Sequence, residues 1–238
     1  MLVDPALGLV IVADGQGGLV TGVLAARLAV EGLRRAFAKA VPLRDPEHSV
    51  LQAMLEVDRM IFDAAQSEGR TLDAAIVGLL DEQAREIIEM ARGGRGTLDS
   101  MHAAVSIAVN SDEGLVVAQV GLCRAYRVFR GVATPVFAIQ PRLLAAANVV
   151  GAGKVAPDVL RVRLHREERL LLCSDGLHDV VDDTVLAHYA GRDSLDVAVD
   201  TLIEHAKSSS KDNIALAIIE VEGEVFASWR NAPPYQKR

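Results

Sequence analysis

The chain has 238 residues, 50% of them apolar and only 4% aromatic, and its 25 Lys+Arg against 32 Asp+Glu give a formal net charge of −7. So much apolar content with so little net charge excludes a disordered chain, and the acid excess excludes a nucleic-acid partner, which needs a basic face. No apolar run reaches the roughly 18 residues that span a bilayer, so no membrane partner is expected.

A chain of this mass is expected to bury roughly 72% of its extended surface, enough for one core without staples. Aromatic poverty leaves Ala, Val, Leu and Ile to build it. Cys123 and Cys173 lie in separate apolar runs and read as reduced core thiols of a cytosolic protein. The start MLVDPALGLV has no basic region and no small-residue cleavage site, so no signal peptide is read and the expected location is cytoplasmic.

In chain order, residues 7–13 (LGLVIVA) form a continuous apolar run that stops at Asp14-Gly15, as a buried strand does at a turn. Apolar residues then recur at helical spacing from Val20 to Ala40 until Pro42 and Pro46 break the pattern. A second helix fits Val50 to Ser67. A third fits Leu72 to Arg92, with Leu72, Ile76, Leu79, Leu80, Ile87 and Ile88 on one face, a pattern expected of a helix packed on the core rather than one kept for a partner. Gly93, Gly94 and Gly96 end it.

The period then changes. Ala103–Val109, Gly114–Val120, Ala125–Phe129, Thr134–Phe137, Val159–Leu164 and Leu170–Cys173 read as strands, the last preceded by a charged stretch, 165–169, that reads as a hairpin turn. Residues 138–158 carry weak periodicity and read as an irregular flap. Asp182–Tyr189 and Leu195–Lys207 read as helices, Ile214–Val221 as a closing strand, and the end from Asn231 as a frayed tail. Two β-rich segments flank a helical block without βαβ alternation, which points to an α+β domain, two sheets with helices outside.

Three aspartates share a setting at the ends of apolar strands. Asp14 precedes Gly15, Asp175 precedes Gly176, and Asp212 stands beside Asn213 just before the run IALAII. Burial of an unpaired carboxylate costs several kcal/mol, a cost that a shared divalent cation would offset. Oxygen donors alone select Mg²⁺ or Mn²⁺ over zinc. The competing explanation is three aspartates in ordinary turn positions. His102, His165, His178, His188 and His205 form no spaced ligand pair and read as surface or packed histidines; His178 alone is placed to approach the site. Asp179, Asp182 and Asp183 read as a solvated face and helix cap, with Asp179 also within reach of an outer metal, and Arg92, Arg95 and Arg124 as surface or strand-bracing charges.

Five segments occur in a telling order: VDPALGLVIVADGQGG, RGT at 95–97, VGLCRAYRV at 120–128, LLLCSDGLHDVVDD at 170–183 and SKDNIALAIIEV at 210–221. Together they resemble the successive motifs of the metal-dependent PPM (PP2C-type) Ser/Thr protein phosphatases, in particular the bacterial single-domain kind, from Leu2 to about Glu222. The resemblance implies a β-sandwich of two antiparallel sheets flanked by helices over residues 1–225, with a tail over 226–238. It implies a centre of one or two Mn²⁺ or Mg²⁺ ions. Asp14 matches the bridging aspartate, Gly15 the glycine that offers its carbonyl, Asp175 and Asp212 the further aspartates, and Asn213 the residue that supports the last loop.

The implied activity is hydrolysis of phosphoserine and phosphothreonine in proteins, with phosphoprotein substrates and a Ser/Thr kinase as the partner classes. Oligomeric state has no signal in the sequence. The chain also departs from the pattern: Leu122 and Leu19 stand where the family places an acid and a histidine, Gly94-Arg95-Gly96-Thr97-Leu98 is a reduced glycine-threonine motif, and the family's preceding acidic strand is expected to be missing. These departures define a rival reading, a catalytically impaired relative that binds phosphoproteins or regulates a kinase.

Overall fold

The computed structural model describes residues 1–17, 19–40, 45–66, 101–191, 194–222 and 226–231. In chain order the elements are β1 (Leu2–Asp4), β2 (Leu9–Gln16), α1 (Leu19–Ala40), α2 (Pro46–Gln66), β3 (His102–Ser111), β4 (Gly114–Val120), β5 (Arg124–Phe129), β6 (Val132–Pro135), α3 (Arg142–Ala147), β7 (Asp158–Val162), β8 (Arg169–Cys173), α4 (Asp175–His178), α5 (Asp183–Ala190), α6 (Leu195–Lys207), β9 (Leu216–Glu222) and β10 (Phe226–Asn231). They form two five-stranded sheets, ordered β1-β2-β3-β4-β7 and β10-β9-β8-β5-β6, and every strand pair is antiparallel.

Strand alternation sorts the apolar side chains into three layers. In the first sheet Leu9, Ile11, Val105 and Ile107 face α1 and α2, where they meet Leu24, Leu28, Met54 and Ile61. Their neighbours Val10, Val12, Ala104 and Ala108 face the second sheet and meet Leu170, Leu172, Ala217 and Ile219. The other face of the second sheet, with Leu171, Cys173, Leu216 and Ile218, is covered by Leu186, Leu202 and Ala206 of α5 and α6. Because both faces of each sheet are covered, the strands read as unbroken apolar runs. Cys123 and Cys173 are free and buried.

The predicted strands and helices match the observed ones to within a few residues, with instructive exceptions. Helix α2 begins at Pro46 rather than Val50: the Asp45 carboxylate accepts from the His48 amide at 3.0 Å, and proline suits the first helical position because its missing N–H is not needed there. Residues 165–169 do not form a hairpin, since β7 and β8 belong to different sheets. Instead the chain crosses between sheets, and the buried Glu168 carboxylate accepts from Arg127 at 2.6 and 2.7 Å and from the His165 amide at 2.9 Å. The flap contains α3, whose Leu143 and Leu144 are 86% and 62% exposed, so no amphipathic pattern announced it. Strand β10 pairs with β9 and carries the second sheet past residue 225, where a tail was expected. The predicted helix over 72–92, the motif at 95–97 and the last residues of the tail lie outside the described residues.

One buried acid has a purely structural task. Asp58 of α2 accepts from the amides of Gly151 at 2.7 Å, Gly153 at 3.0 Å and Val155 at 3.2 Å, fastening the return limb of the flap to the first helical layer. A carboxylate that accepts several amide donors is a strong, charge-assisted anchor.

Candidate metal centre

Alternation along β2 puts Asp14 on the inter-sheet face, two residues beyond Val12 and opposite Ala104 of β3. The next residue, Gly15, runs against α1: a Cβ there would lie 1.8 Å from the Gly22 carbonyl oxygen, and a Cβ on Gly22 would lie 2.8 Å from that of Gly15. Only a glycine pair lets strand and helix meet so closely. Gly15 is thus beside Asp14 as expected, while its carbonyl lies against the α1 backbone.

Asp175 and Asp212 come from the other sheet. Ser174, at the end of β8, joins their two loops: its amide donates to the Ala215 carbonyl at 2.9 Å, its hydroxyl donates to the Asn213 carbonyl at 3.3 Å, and the same oxygen accepts from the Ala215 amide at 3.1 Å. Gly176 lets the loops touch, because a Cβ there would stand 2.1 Å from the Asn213 carbonyl oxygen. The Asp212 carboxylate accepts from the Asn213 amide at 2.7 Å, and the Asp212 backbone exchanges hydrogen bonds with the Ser210 hydroxyl at 3.2 Å.

The three predicted aspartates are neighbours. Burial, then the charges of Asp175 and Asp212, then a hydrogen bond with Asp175 push the Asp14 carboxyl from its ordinary 3.8 up to about 7. Asp175 is buried, and among the described residues its Oδ1 has no hydrogen-bond partner. Burial of Asp212 was the sequence expectation and is corrected: Asp212 and Asn213 are exposed, since the turn before β9 lies outside the layers. Among the described residues no three His, Cys, Asp or Glu side chains are drawn together tightly enough to enclose an ion. The carboxylates therefore adjoin one another without forming a closed cage.

The surroundings complete the electrostatics. Arg142 of α3 donates from Nη2 to Asp175 Oδ2 at 3.1 Å and from Nη1 to Asp179 Oδ2 at 2.6 Å. The His178 ring is buried and donates from Nε2 to the Leu122 carbonyl at 2.7 Å. Its Nδ1 stands 3.2 Å from Asp179 Oδ1 without forming a hydrogen bond. Burial, opposed by the bond to Leu122, pushes the imidazole below its ordinary value, so it is a neutral brace here. Beside this network a cavity of about 350 Å³ is lined by Leu122, Arg124, Phe137, Ile139, Arg142 and Asp179, among others. Arg124 also donates to the Tyr126 hydroxyl at 3.1 Å, in keeping with its expected bracing role.

These residues fit a hard divalent cation. All donors are oxygen, the Asp14 charge is opposed by two neighbouring carboxylates, and a buried carboxylate oxygen of Asp175 is unpartnered; each feature is relieved by positive charge. Sequence reasoning missed Gly22, Ser174 and Arg142. Gly22 left a trace, because glycine inside a helix costs roughly 0.5–1 kcal/mol against alanine and needs a reason.

Comparison with known proteins agrees. Residues 3–214 match the family protein phosphatase 2C. The serine/threonine phosphatase stp of Listeria monocytogenes is 30% identical over 224 residues, covering 89% of this chain and 84% of that protein. Among solved structures, the serine/threonine phosphatase Stp1 of Staphylococcus aureus superposes with a TM-score of 0.70 at 19% identity, over 90% of this chain and 84% of that one. A PstP catalytic domain in complex with two manganese ions gives 0.66 at 20% identity, over 88% and 85%. The family match over residues 3–214 and the 30% identical relative define a metal-dependent phosphatase domain. The chain belongs to the protein phosphatase 2C family.

Proposed function

We infer that the chain hydrolyses phosphoserine and phosphothreonine in proteins, with Asp14, Asp175 and Asp212 holding Mn²⁺ or Mg²⁺ and Gly15 contributing its backbone at the same end of the sandwich. The observation that carries this is that carboxylates from two sheets adjoin one another, with the Asp14 carboxyl pushed up to about 7 and Asp175 Oδ1 unpartnered among the described residues. A bound divalent cation supplies charge neutralisation for a phosphate dianion and acidifies water for attack on phosphorus.

The protein's own residues do the placing. Ser174 and Gly176 hold Asp175 in register with Asp212, and the Gly15–Gly22 contact sets the depth of Asp14 against α1. The 350 Å³ cavity beside Asp179 offers room for substrate next to the carboxylates. Phosphoproteins are the substrate class, a Ser/Thr kinase acting on the same proteins is the natural counterpart, and the cytoplasm is the proposed location.

The test is hydrolysis of p-nitrophenyl phosphate and of a phosphothreonine peptide with Mn²⁺ by wild type, Asp14→Asn and Asp175→Asn. Each substitution removes a proposed ligand, so the rate should fall by more than the roughly 10–100-fold that loss of an outer partner costs. Equal background rates in all three proteins would instead support the binding-module reading.

A further inference from the structure

Arg142 reaches from the flap into the acidic site and divides its guanidinium between two carboxylates, Asp175 Oδ2 at 3.1 Å and Asp179 Oδ2 at 2.6 Å. The two ends of this contact differ in freedom. The Asp175 side chain is 8% exposed and that of Arg142 is 59% exposed, so the carboxylate is fixed while the arginine can return to water at little cost. Among the described residues Asp175 Oδ1 has no partner, and a compact divalent ion placed there would stand beside a guanidinium already drawing on the same group.

The helix that carries Arg142 is lightly held. Leu143 and Leu144 are exposed and Ala145 is its buried side chain. Just beyond its C-terminal end, the Asn148 side chain is pinned by paired bonds to the Ala156 amide and carbonyl, both at 2.8 Å. The N-terminal end reaches the acidic site through Arg142. Arg142, Ala145 and Ile139 also line the 350 Å³ cavity, so movement of this end changes the width of that space.

We propose that Arg142 is a positioning residue that competes with the divalent cation for Asp175, so that cation loading frees the N-terminal end of α3 and widens the cavity beside the site. The proposal rests on the cation site inferred above. It makes the flap a reporter of cation binding, hinged at the Asn148–Ala156 pair. Intermediate behaviour is expected of Arg142→Lys, which keeps the charge but cannot fork between two carboxylates.

The test is calorimetric titration of the full chain with Mn²⁺, together with amide hydrogen exchange over residues 138–147 with and without the ion. Arg142→Ala should bind Mn²⁺ roughly two- to fivefold more tightly than wild type, the range expected from losing one exposed ion pair. Arg142→Lys should fall between. Arg166→Ala, which removes the same charge from the turn at the far end of β8, should match wild type. Exchange over 142–147 should quicken on Mn²⁺ addition in wild type and be fast throughout in Arg142→Ala. A structural role alone would not raise affinity. Unchanged or weaker binding in Arg142→Ala, or wild-type exchange indifferent to Mn²⁺, overturns the competition while leaving the cation site standing. No binding in either protein overturns both.

Discussion

The charge on Asp14 is opposed by burial and by the charges of Asp175 and Asp212, which together raise its carboxyl from 3.8 to about 7. The folded protein therefore keeps a proton on Asp14 up to near neutrality, whereas the unfolded chain releases it near 3.8. Between those values the native state binds more protons, so metal-free stability must fall as pH rises and level off above about 7. At roughly 1.4 kcal/mol per unit, the penalty reaches at most about 4 kcal/mol. Urea unfolding in chelator at pH 5 and pH 8 should show this loss in wild type, and Asp14→Asn should flatten it and be the more stable protein at pH 8. Because buried His178 and the Met1 amine are held below their ordinary values and favour the folded state as pH rises, the difference between wild type and Asp14→Asn is the readout, and an equal pH dependence in the two proteins would contradict the placement of Asp14 among like charges.

Among the elements, the contact between the 174–176 loop and the 212–215 loop decides whether Asp175 and Asp212 face one site. Gly176 lies so close to the Asn213 carbonyl that a Cβ would stand 2.1 Å from it, and backbone cannot yield as a flexible side chain would. Gly176→Ala should push the loops apart, cost about 1–3 kcal/mol as overpacking does, and weaken Mn²⁺ binding at least tenfold by calorimetry; unchanged affinity would show that Asp212 is dispensable. The central strands β2, β3, β4 and β8 were legible because they are buried on both faces, and Asp14, Asp175 and Asp212 because each borders an apolar run. What stayed hidden was set by contacts distant in sequence. The assignment of β7 and β8 to different sheets comes from pairing with strands distant in sequence, β7 with β4 and β8 with β5 and β9. Helix α3 shows its leucines to solvent and so lacks a periodic signature, and Arg142 gains its meaning only because the flap folds over Asp175 and Asp179. Ser174 looked like an ordinary residue before an Asp-Gly turn until its hydroxyl was seen to hold the Asn213 and Ala215 backbone.

Across the whole molecule, the site joins two layers that meet mainly through apolar packing of side chains such as Val10, Val12, Leu172 and Ala217, with the Ala125 amide of β5 donating to Gln119 Oε1 of β4 at 3.3 Å. Asp14 belongs to the first sheet, whereas Asp175 and Asp212 flank strands of the second. A cation bound by both sets is a clamp between sheets, and its binding energy becomes folding energy because the unfolded chain brings no such carboxylates together. At free Mn²⁺ one hundred times the dissociation constant the gain is about 2.7 kcal/mol. Denaturation followed by circular dichroism should therefore shift to higher urea with Mn²⁺ as one cooperative transition. Asp14→Asn and Asp175→Asn should each abolish the shift, although they lie in different sheets. A shift that survives Asp14→Asn but not Asp175→Asn would mean that the ion is held by the second sheet alone. Loss of the shift with either substitution is the signature of a centre that exists only when the two sheets are packed together.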